Sequence, residues 1–222
     1  MRLLNQTNTL FNIINAAFCV IVVISNIISF KILRLPFLSD HGIPAGLLTF
    51  PLTFLLSDLT TEIYGPAKAK IIVYTALGMT LLSYLLIQAA LFLPSWDLDN
   101  QQVFQSALGV NGLIIFASLS GYTISQLIDI QLYALIKKWT GSKMLWLRNN
   151  VSTLISQIAD TFTVSIIHLY WGLGMEFDVV LHMILFSYMY KAFFSVANTP
   201  IFYFCVYLIN RKKMAPLSYK YV

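Results

Sequence analysis

The chain has 222 residues, of which 58% are hydrophobic and only 10% are charged. Soluble domains carry about 25% charged residues, and at a mean hydropathy of +0.76 there is too little polar sequence here to cover a water-soluble globule. Two cysteines, Cys19 and Cys205, both inside apolar runs, cannot staple a chain of this length, so a disulfide scaffold is excluded as well. The composition is that of an all-α, polytopic integral membrane protein.

A hydrocarbon core of about 30 Å needs roughly 20 mostly apolar residues per helix. Six stretches qualify in chain order, over residues 10–30, 45–64, 71–93, 108–136, 151–171 and 179–209. The apolar run of the first is too long for a secretion signal, and no small-residue cleavage site follows Phe30, so it is expected to stay as a helix. The second carries Pro51, Asp58 and Glu62, while the fourth and sixth exceed the membrane thickness and are expected to tilt. The connections at 36–44, Gly65-Pro66, 94–100, 141–150 and 172–178 hold turn and charge signals. None is long enough for a second domain, so residues 1–222 read as a single six-helix transmembrane domain.

Lys and Arg set the orientation, because cytoplasmic loops collect them. The formal charge is +5. Eleven of the 14 basic residues fall on one side: Arg2, Lys68, Lys70, Lys137, Lys138, Lys143, Arg148, Arg211, Lys212, Lys213 and Lys220. The other side has Lys31 and Arg34, and its remaining loops carry Asp97, Asp99, Glu176 and Asp178. Both termini are therefore expected in the cytoplasm. The basic charge reads as a topology signal, reinforced by anionic lipid, and direct nucleic-acid binding drops out.

The informative residues are those that are expensive where they sit. An ionisable side chain at mid-membrane costs about 2.5–3.5 kcal/mol on insertion scales and faces a partner or a cavity. Asp58 lies ten residues before Lys68, about 15 Å along a helix, which places it near the midplane, with Glu62 one turn closer to the cytoplasm on the same face. Asp129 belongs to the inner half of its span and Asp160 to the middle of the next. Ser125-Gln126-Leu127-Ile128-Asp129 and Ser156-Gln157-Ile158-Ala159-Asp160 repeat one S-Q-x-x-D pattern on consecutive, oppositely directed helices. At i and i+3 the amide and the carboxylate leave one side of the helix and offer the donors and acceptors that suit the edge of a heterocyclic base.

Further polar residues line up as stripes: Asn12, Asn15, Asn26 and Ser29 in the first span, Ser118, Tyr122, Gln126, Asp129 and Tyr133 in the fourth, and Tyr188, Lys191, Ser195 and Asn198 before Pro200 in the sixth. In lipid such stripes turn inward. Ser, Thr and Asn alone would read as glue between helices. Four carboxylates opposed by the single intramembrane Lys191 require protonation, pairing with Lys191 or Arg148, or a cationic ligand, and a polar cavity accounts for them better. The ladder Ala117, Gly121, Ser125 reads as close helix packing, and Gly42-x-x-x-Gly46 is a weak dimerisation motif. Trp139, Trp146 and Trp171 read as interfacial anchors. His41, His168 and His182 lack metal-ligand spacing and read as solvated or core histidines.

Motifs for ATP hydrolysis, Gly-x-Ser-x-Gly, His-Glu-x-x-His and Cys-x-x-Cys do not occur. Asp58, Asp129 and Asp160 suffice in number for an intramembrane aspartyl protease, but their glutamine neighbours fit binding better than hydrolysis. The expected class is a transporter of a small polar molecule, not an enzyme, with no cofactor and no metal.

The run Phe50-Pro51-Leu52-Thr53-Phe54-Leu55-Leu56-Ser57-Asp58-Leu59-Thr60-Thr61-Glu62-Ile63-Tyr64-Gly65 resembles the signature of the queuosine precursor transporter family, a group of six-helix bacterial membrane proteins. The resemblance continues through Asn26 with Lys31, Ser125 to Asp129, Trp139-Thr140-Gly141, Trp146 to Thr153, Ser156 to Thr161, Lys191 and Thr199-Pro200, nearly the whole chain in order. Lys68 and Lys70 stand where arginines are expected after Tyr64-Gly65, which keeps the charge. The resemblance implies uptake across the bacterial inner membrane of a 7-deazaguanine (preQ0, preQ1 or queuine) for tRNA modification. It also implies an architecture similar to the substrate-binding subunits of energy-coupling vitamin importers, without their ATPases.

A 7-deazaguanine keeps N1–H and 2-amino donors for a carboxylate and an O6 acceptor for a Gln amide or Lys191, and its plane suits Phe54, Tyr122 or Tyr188. Asp129 or Asp160 is then expected to read the base edge beside Gln126 and Gln157. Asp58 and Glu62 would hold the amine of preQ1 or queuine, or carry a coupled proton, with Asn26 and Asn198 completing the substrate-binding set. Two further classes stay open: the capturing subunit of an ATP-driven vitamin importer, and a membrane enzyme. The preferred base, and a monomer or a homodimer in the bilayer, are open too.

Overall fold

The computed structural model describes residues 2–29, 31–33, 43–109, 112–141 and 143–211. Its helices are α1 (Arg2–Ile28), α2 (Phe50–Tyr64), α3 (Pro66–Phe92), α4 (Leu98–Leu108), α5 (Gly112–Thr140), α6 (Leu145–Ser165) and α7 (Phe177–Arg211). A two-residue antiparallel pairing, Ile32 with Pro44 and Leu33 with Ile43, leads into a tight 3-10 turn over Ala45–Leu48 before α2. The expectations placed on Phe30, Arg34, Pro36, His41, Gly42, Lys212, Lys213 and Lys220 lie outside the described residues, as do the side chains of residues 2–7.

Among the described residues four stretches are long and apolar enough to cross a membrane: Asn8–Ile28, Pro66–Phe92, Leu98–Thr140 and Phe177–Ile209. The other two expected spans correspond to α2 and α6 and fall short for physical reasons. α2 has 15 residues, about 22 Å of helix. α6 spends its length on Arg148, Asn149, Asn150, Ser152, Thr153, Ser156, Gln157 and Thr161, all of them buried. A helix whose polar side faces its neighbours loses hydropathy without gaining exposure to water.

Local chemistry explains the breaks. α2 stops at Tyr64 because Gly65 adopts φ 86°, a conformation open to glycine, and Pro66 then starts α3 with a φ already suited to a first turn. The connection at 94–100, read from sequence as a turn, contains the start of the exposed α4, whose first turn is capped by Asp97 accepting from the Asp99 amide at 3.1 Å. α6 continues as a wider, π-helical segment over Ile166–Gly172.

Two apolar clusters flank the bundle axis. Phe18, Cys19 and Val22 of α1 pack on Ala69, Ile72, Val73 and Ala76 of α3, and Ile14 packs with Leu55, Leu59, Ile63, Tyr133 and Phe202. Large apolar side chains also cover the outside, among them Leu85, Phe116, Ile158, Phe193 and Phe204, while buried polar residues run down the middle. That inversion suits lipid rather than water as the surrounding solvent. Trp139, Trp146 and Trp171 are exposed near helix ends, as anchors should be.

Candidate functional site

The start of α1, the end of α7, the α2–α3 corner and the α5–α6 corner gather at one end of the bundle, here called the termini end. Phe11 of α1 meets Tyr64 edge-on, Lys68 lies over the Phe11 ring, and the Trp146 backbone amide donates to the Tyr203 hydroxyl of α7. From that end to the other, polar side chains form three layers.

The layer farthest from the termini is a cavity of about 890 Å3, within the size range of small-molecule sites. Its lining comes from the far halves of α1, α2, α5 and α7, from the second half of α6 with its π-helical continuation, and from the turn at Gly46. Gly46 is needed there, since a Cβ at this position would meet Ser29 Oγ and the Ser25 carbonyl of α1. Lining residues nearest the middle of the bundle are Ser125, Asp160 and Lys191. Lys191 donates to Asp160 Oδ2 at 2.5 Å and to Thr161 Oγ1 at 3.2 Å, and its ammonium sits over the Phe50 ring at 5.5 Å. Pairing makes both charges tolerable where neither would be alone.

Higher in the cavity, Ser118 donates to Asn26 Oδ1 at 2.8 Å while the Asn26 amide donates to the Val22 carbonyl. The Tyr122 hydroxyl and His168 Nδ1 are buried without a hydrogen-bond partner among the described residues. Phe54 lines the wall.

The middle layer is fully buried and does not line the cavity. It holds Asp58 from α2, Gln126 and Asp129 from α5, and Gln157 from α6. Among the described residues neither amide atom of Gln126 or Gln157 has a hydrogen-bond partner, and the same is true of Ser57 Oγ, Ser152 Oγ, Asp58 Oδ1 and Asp129 Oδ2. Ser156 donates to Asp129 Oδ1 at 3.4 Å, a long bond.

Toward the termini end, Glu62 is gripped from three sides. Arg148 Nη2 reaches its Oε1 at 2.8 Å, the Tyr133 hydroxyl donates to Oε2 at 2.9 Å, and Lys137 Nζ lies 3.2 Å from Oε2 while also donating to the Glu62 carbonyl. Arg148 Nη1 donates to the Gly141 and Lys143 carbonyls, closing the end of α5, and its Nε reaches the Tyr133 hydroxyl at 3.4 Å. Asn198 stands apart, its amide donating to the Pro51 carbonyl and tying α7 to α2 at 2.8 Å.

Of the ten sequence-predicted residues, the structure therefore brings Asn26, Tyr122, Asp160 and Lys191 to the cavity. Asp58, Gln126, Asp129 and Gln157 lie in the buried layer, Glu62 in the ionic network, and Asn198 in a helix-to-helix bond. Asp129 and Asp160 share a motif position but not an environment. Tyr188 is half-buried and absent from the lining, and Asn12 is exposed instead of facing inward. His168 and His182, read from sequence as solvated or core, both line the cavity. Spacing could have found His168, about two turns after Asp160 on the same side, whereas His182 lies nine residues from Lys191, half a turn out of phase, and spacing gave no signal for it. The ladder at Gly121 does serve packing, since its Cα faces Val164 and Asp160 of α6.

A family described as "Putative vitamin uptake transporter" matches residues 44–205. The "Probable queuosine precursor transporter" of Bacillus subtilis is 30% identical over 166 residues, covering 73% of this chain and 69% of that protein. The "Queuosine precursor transporter" of Escherichia coli is 27% identical over 120 residues, 52% of this chain and 50% of that one. A Haemophilus influenzae protein, "Probable queuosine precursor transporter", is 30% identical over 118 residues, 53% of this chain and 48% of its own. With the last two, the match spans about half of the relative. No solved structure matches.

Proposed function

This chain belongs to the vitamin uptake transporter family and is a multi-pass membrane protein, and we propose that it imports a queuosine precursor, a 7-deazaguanine base, for tRNA modification. The observation that carries the reading is the Lys191–Asp160 pair at the deep edge of a cavity of about 890 Å3. A carboxylate beside an ammonium complements a guanine-type edge. Asp160 accepts from N1–H and the 2-amino group as a bidentate pair, and Lys191, already within reach, turns to O6. Phe50, Phe54 and Tyr122 supply faces for the plane of the base.

In this reading α1, α2, α3, α5, α6 and α7 are the six spans, α2 and α6 being shielded from lipid on their polar sides. Both termini are cytoplasmic in the bacterial inner membrane, so the cavity faces outward and the Glu62 network closes the inner end. The protein works as a carrier without catalysis, cofactor or ATPase, alone or as a homodimer. The names of the relatives support the cargo class. The narrower choice among preQ0, preQ1 and queuine turns on whether a cationic amine is held, and among the described lining residues the one carboxylate, Asp160, is already assigned to the base edge.

The test uses cells unable to make or import queuosine precursors. Expressing this chain with nanomolar preQ0, preQ1 or queuine (the last with an enzyme that inserts it) should restore queuosine in tRNA, read as a boronate-gel shift. A shift with one base, lost on Asp160→Asn, supports the reading. No shift with any base, despite confirmed membrane expression, rejects it in favour of a vitamin-capturing subunit.

A further inference from the structure

Beneath the cavity, Asp58 on α2 and Asp129 on α5 each lie one turn before Glu62 and Tyr133, whose side chains bond at 2.9 Å, so the two aspartates stand at one level on the facing sides of these helices, with Ser156 of α6 donating to Asp129 Oδ1 at 3.4 Å. Both aspartates are buried, and neither has an ion-pair partner among the described residues. The surrounding charges are committed elsewhere. Glu62, one turn along α2, is held by Arg148, Lys137 and Tyr133, and Lys191 of α7 is held by Asp160. From α1 and α3 the neighbouring surfaces are apolar, with Phe18, Val22, Ile72 and Ala76.

Double ionisation is costly for two carboxylates that face each other without a counter-ion inside a low-dielectric bundle, so such a pair is suited to hold a proton. A second observation points to an occupant at this level. Gln126, one turn before Asp129 on the same face, and Gln157, adjacent to Ser156, are fully buried with unpartnered amides, a condition that buried polar groups otherwise avoid.

We propose that the Asp58–Asp129 pair is the binding site of the cation that drives uptake, and that this cation is a proton. This rests on the transporter reading above. Protonation from the cavity side leaves one shared hydrogen bond drawing α2 to α5. Loss of that proton toward the termini end leaves two carboxylates that repel and part the same helices. The proton thus acts on the helix that carries Glu62, the residue closing the inner end. One proton per base lets a pH difference of one unit sustain about tenfold accumulation.

The experiment uses the purified full chain in proteoliposomes, with radiolabelled preQ0, preQ1 and queuine and the membrane potential clamped. Exchange of labelled for unlabelled base at equal pH tests transport itself; its absence with all three bases rejects both readings. With exchange present, an acidic exterior should give accumulation of about tenfold per pH unit that collapses with a protonophore. Exchange without pH-driven accumulation, or accumulation driven by sodium instead, overturns the proton site and leaves the transporter reading intact. Asp129→Asn should abolish accumulation and Asp129→Glu should keep part of it. The infrared band of a protonated carboxyl, present in the wild-type protein at neutral pH, should be absent from the Asp58→Asn, Asp129→Asn double variant. An unchanged band in that variant places the proton elsewhere and also overturns the proposal.

Discussion

Arg148 Nη2 lies 2.8 Å from Glu62 Oε1, joining the first turn of α6 to the last turn of α2 across the end of α5. The Arg148 side chain is only 3% exposed and that of Glu62 15%, so the pair is shielded from the screening that weakens surface bridges. Removing one partner strands the other charge, which costs about 3–5 kcal/mol in buried pairs. Glu62→Gln is expected to lower the melting temperature of the detergent-solubilised protein sharply. The exchange Glu62→Arg with Arg148→Glu should recover only part of the loss, because Arg148 also serves the Gly141 and Lys143 carbonyls. A melting curve unchanged by Glu62→Gln would mean that the network does not hold this end together.

Lys191 and Asp160 make the corresponding prediction for the cavity. A hydrogen bond to a charged group contributes about 1.5–3 kcal/mol, roughly a 10- to 150-fold change in affinity. Asp160→Asn should raise the apparent Km for the transported base by at least tenfold in uptake assays. Lys191→Met should do the same, and the double variant should cost less than the sum, since the pair serves each other as well as the substrate. Additive losses in that cycle would show that the two side chains act independently.

The polar column was readable in advance because lipid leaves such residues few places to go. Asp160, Lys191, Tyr122 and Asn26, which depth and stripe mark as inward-facing, do line the cavity, and Arg148, one of two cations named to pair with an intramembrane acid, does pair with Glu62. What periodicity could not supply was depth. The two S-Q-x-x-D repeats run in opposite directions, so the α5 copy carries its aspartate toward the termini end, level with Ser156, while the α6 copy carries its aspartate toward the cavity, level with Gly121. A shared motif therefore delivers one acid to the buried layer and the other to the lining. Likewise residues 45–64 and 151–171 read as spans from their mostly apolar runs, although the short length of α2 and the buried polar side of α6 take them below what hydropathy alone registers.

Gly121 gives a packing prediction with its own control. A Cβ there would lie 2.5 Å from Val164 Cγ2 and 3.1 Å from Asp160 Oδ1, so Gly121→Ala should push α5 from α6 and disturb Asp160. Overpacking of this kind typically costs about 1–3 kcal/mol, and uptake should fall with stability. Gly78, in the middle of α3, has nothing within 4 Å of its would-be Cβ. Gly78→Ala should be neutral or stabilising by up to about 1 kcal/mol, the helix-propensity difference. Thermal melts of the two variants side by side decide it; equal behaviour would contradict the close contact at Gly121.

The layered arrangement also predicts which positions a water-borne reagent can reach. Ser187 lines the cavity, whereas Ser152 lies fully buried below it, one turn from Ser156, which bonds Asp129. In a background lacking Cys19 and Cys205, a membrane-impermeant, thiol-specific reagent added outside intact cells should modify Ser187→Cys and block uptake. It should leave Ser152→Cys untouched, because reaching that depth requires passing the Lys191–Asp160 pair. Excess transported base should slow labelling at Ser187→Cys by occupying the same space. Labelling of Ser152→Cys from outside would mean that the cavity continues through the buried layer, and labelling of Ser187→Cys only from the cytoplasmic side would reverse the orientation deduced from Lys and Arg.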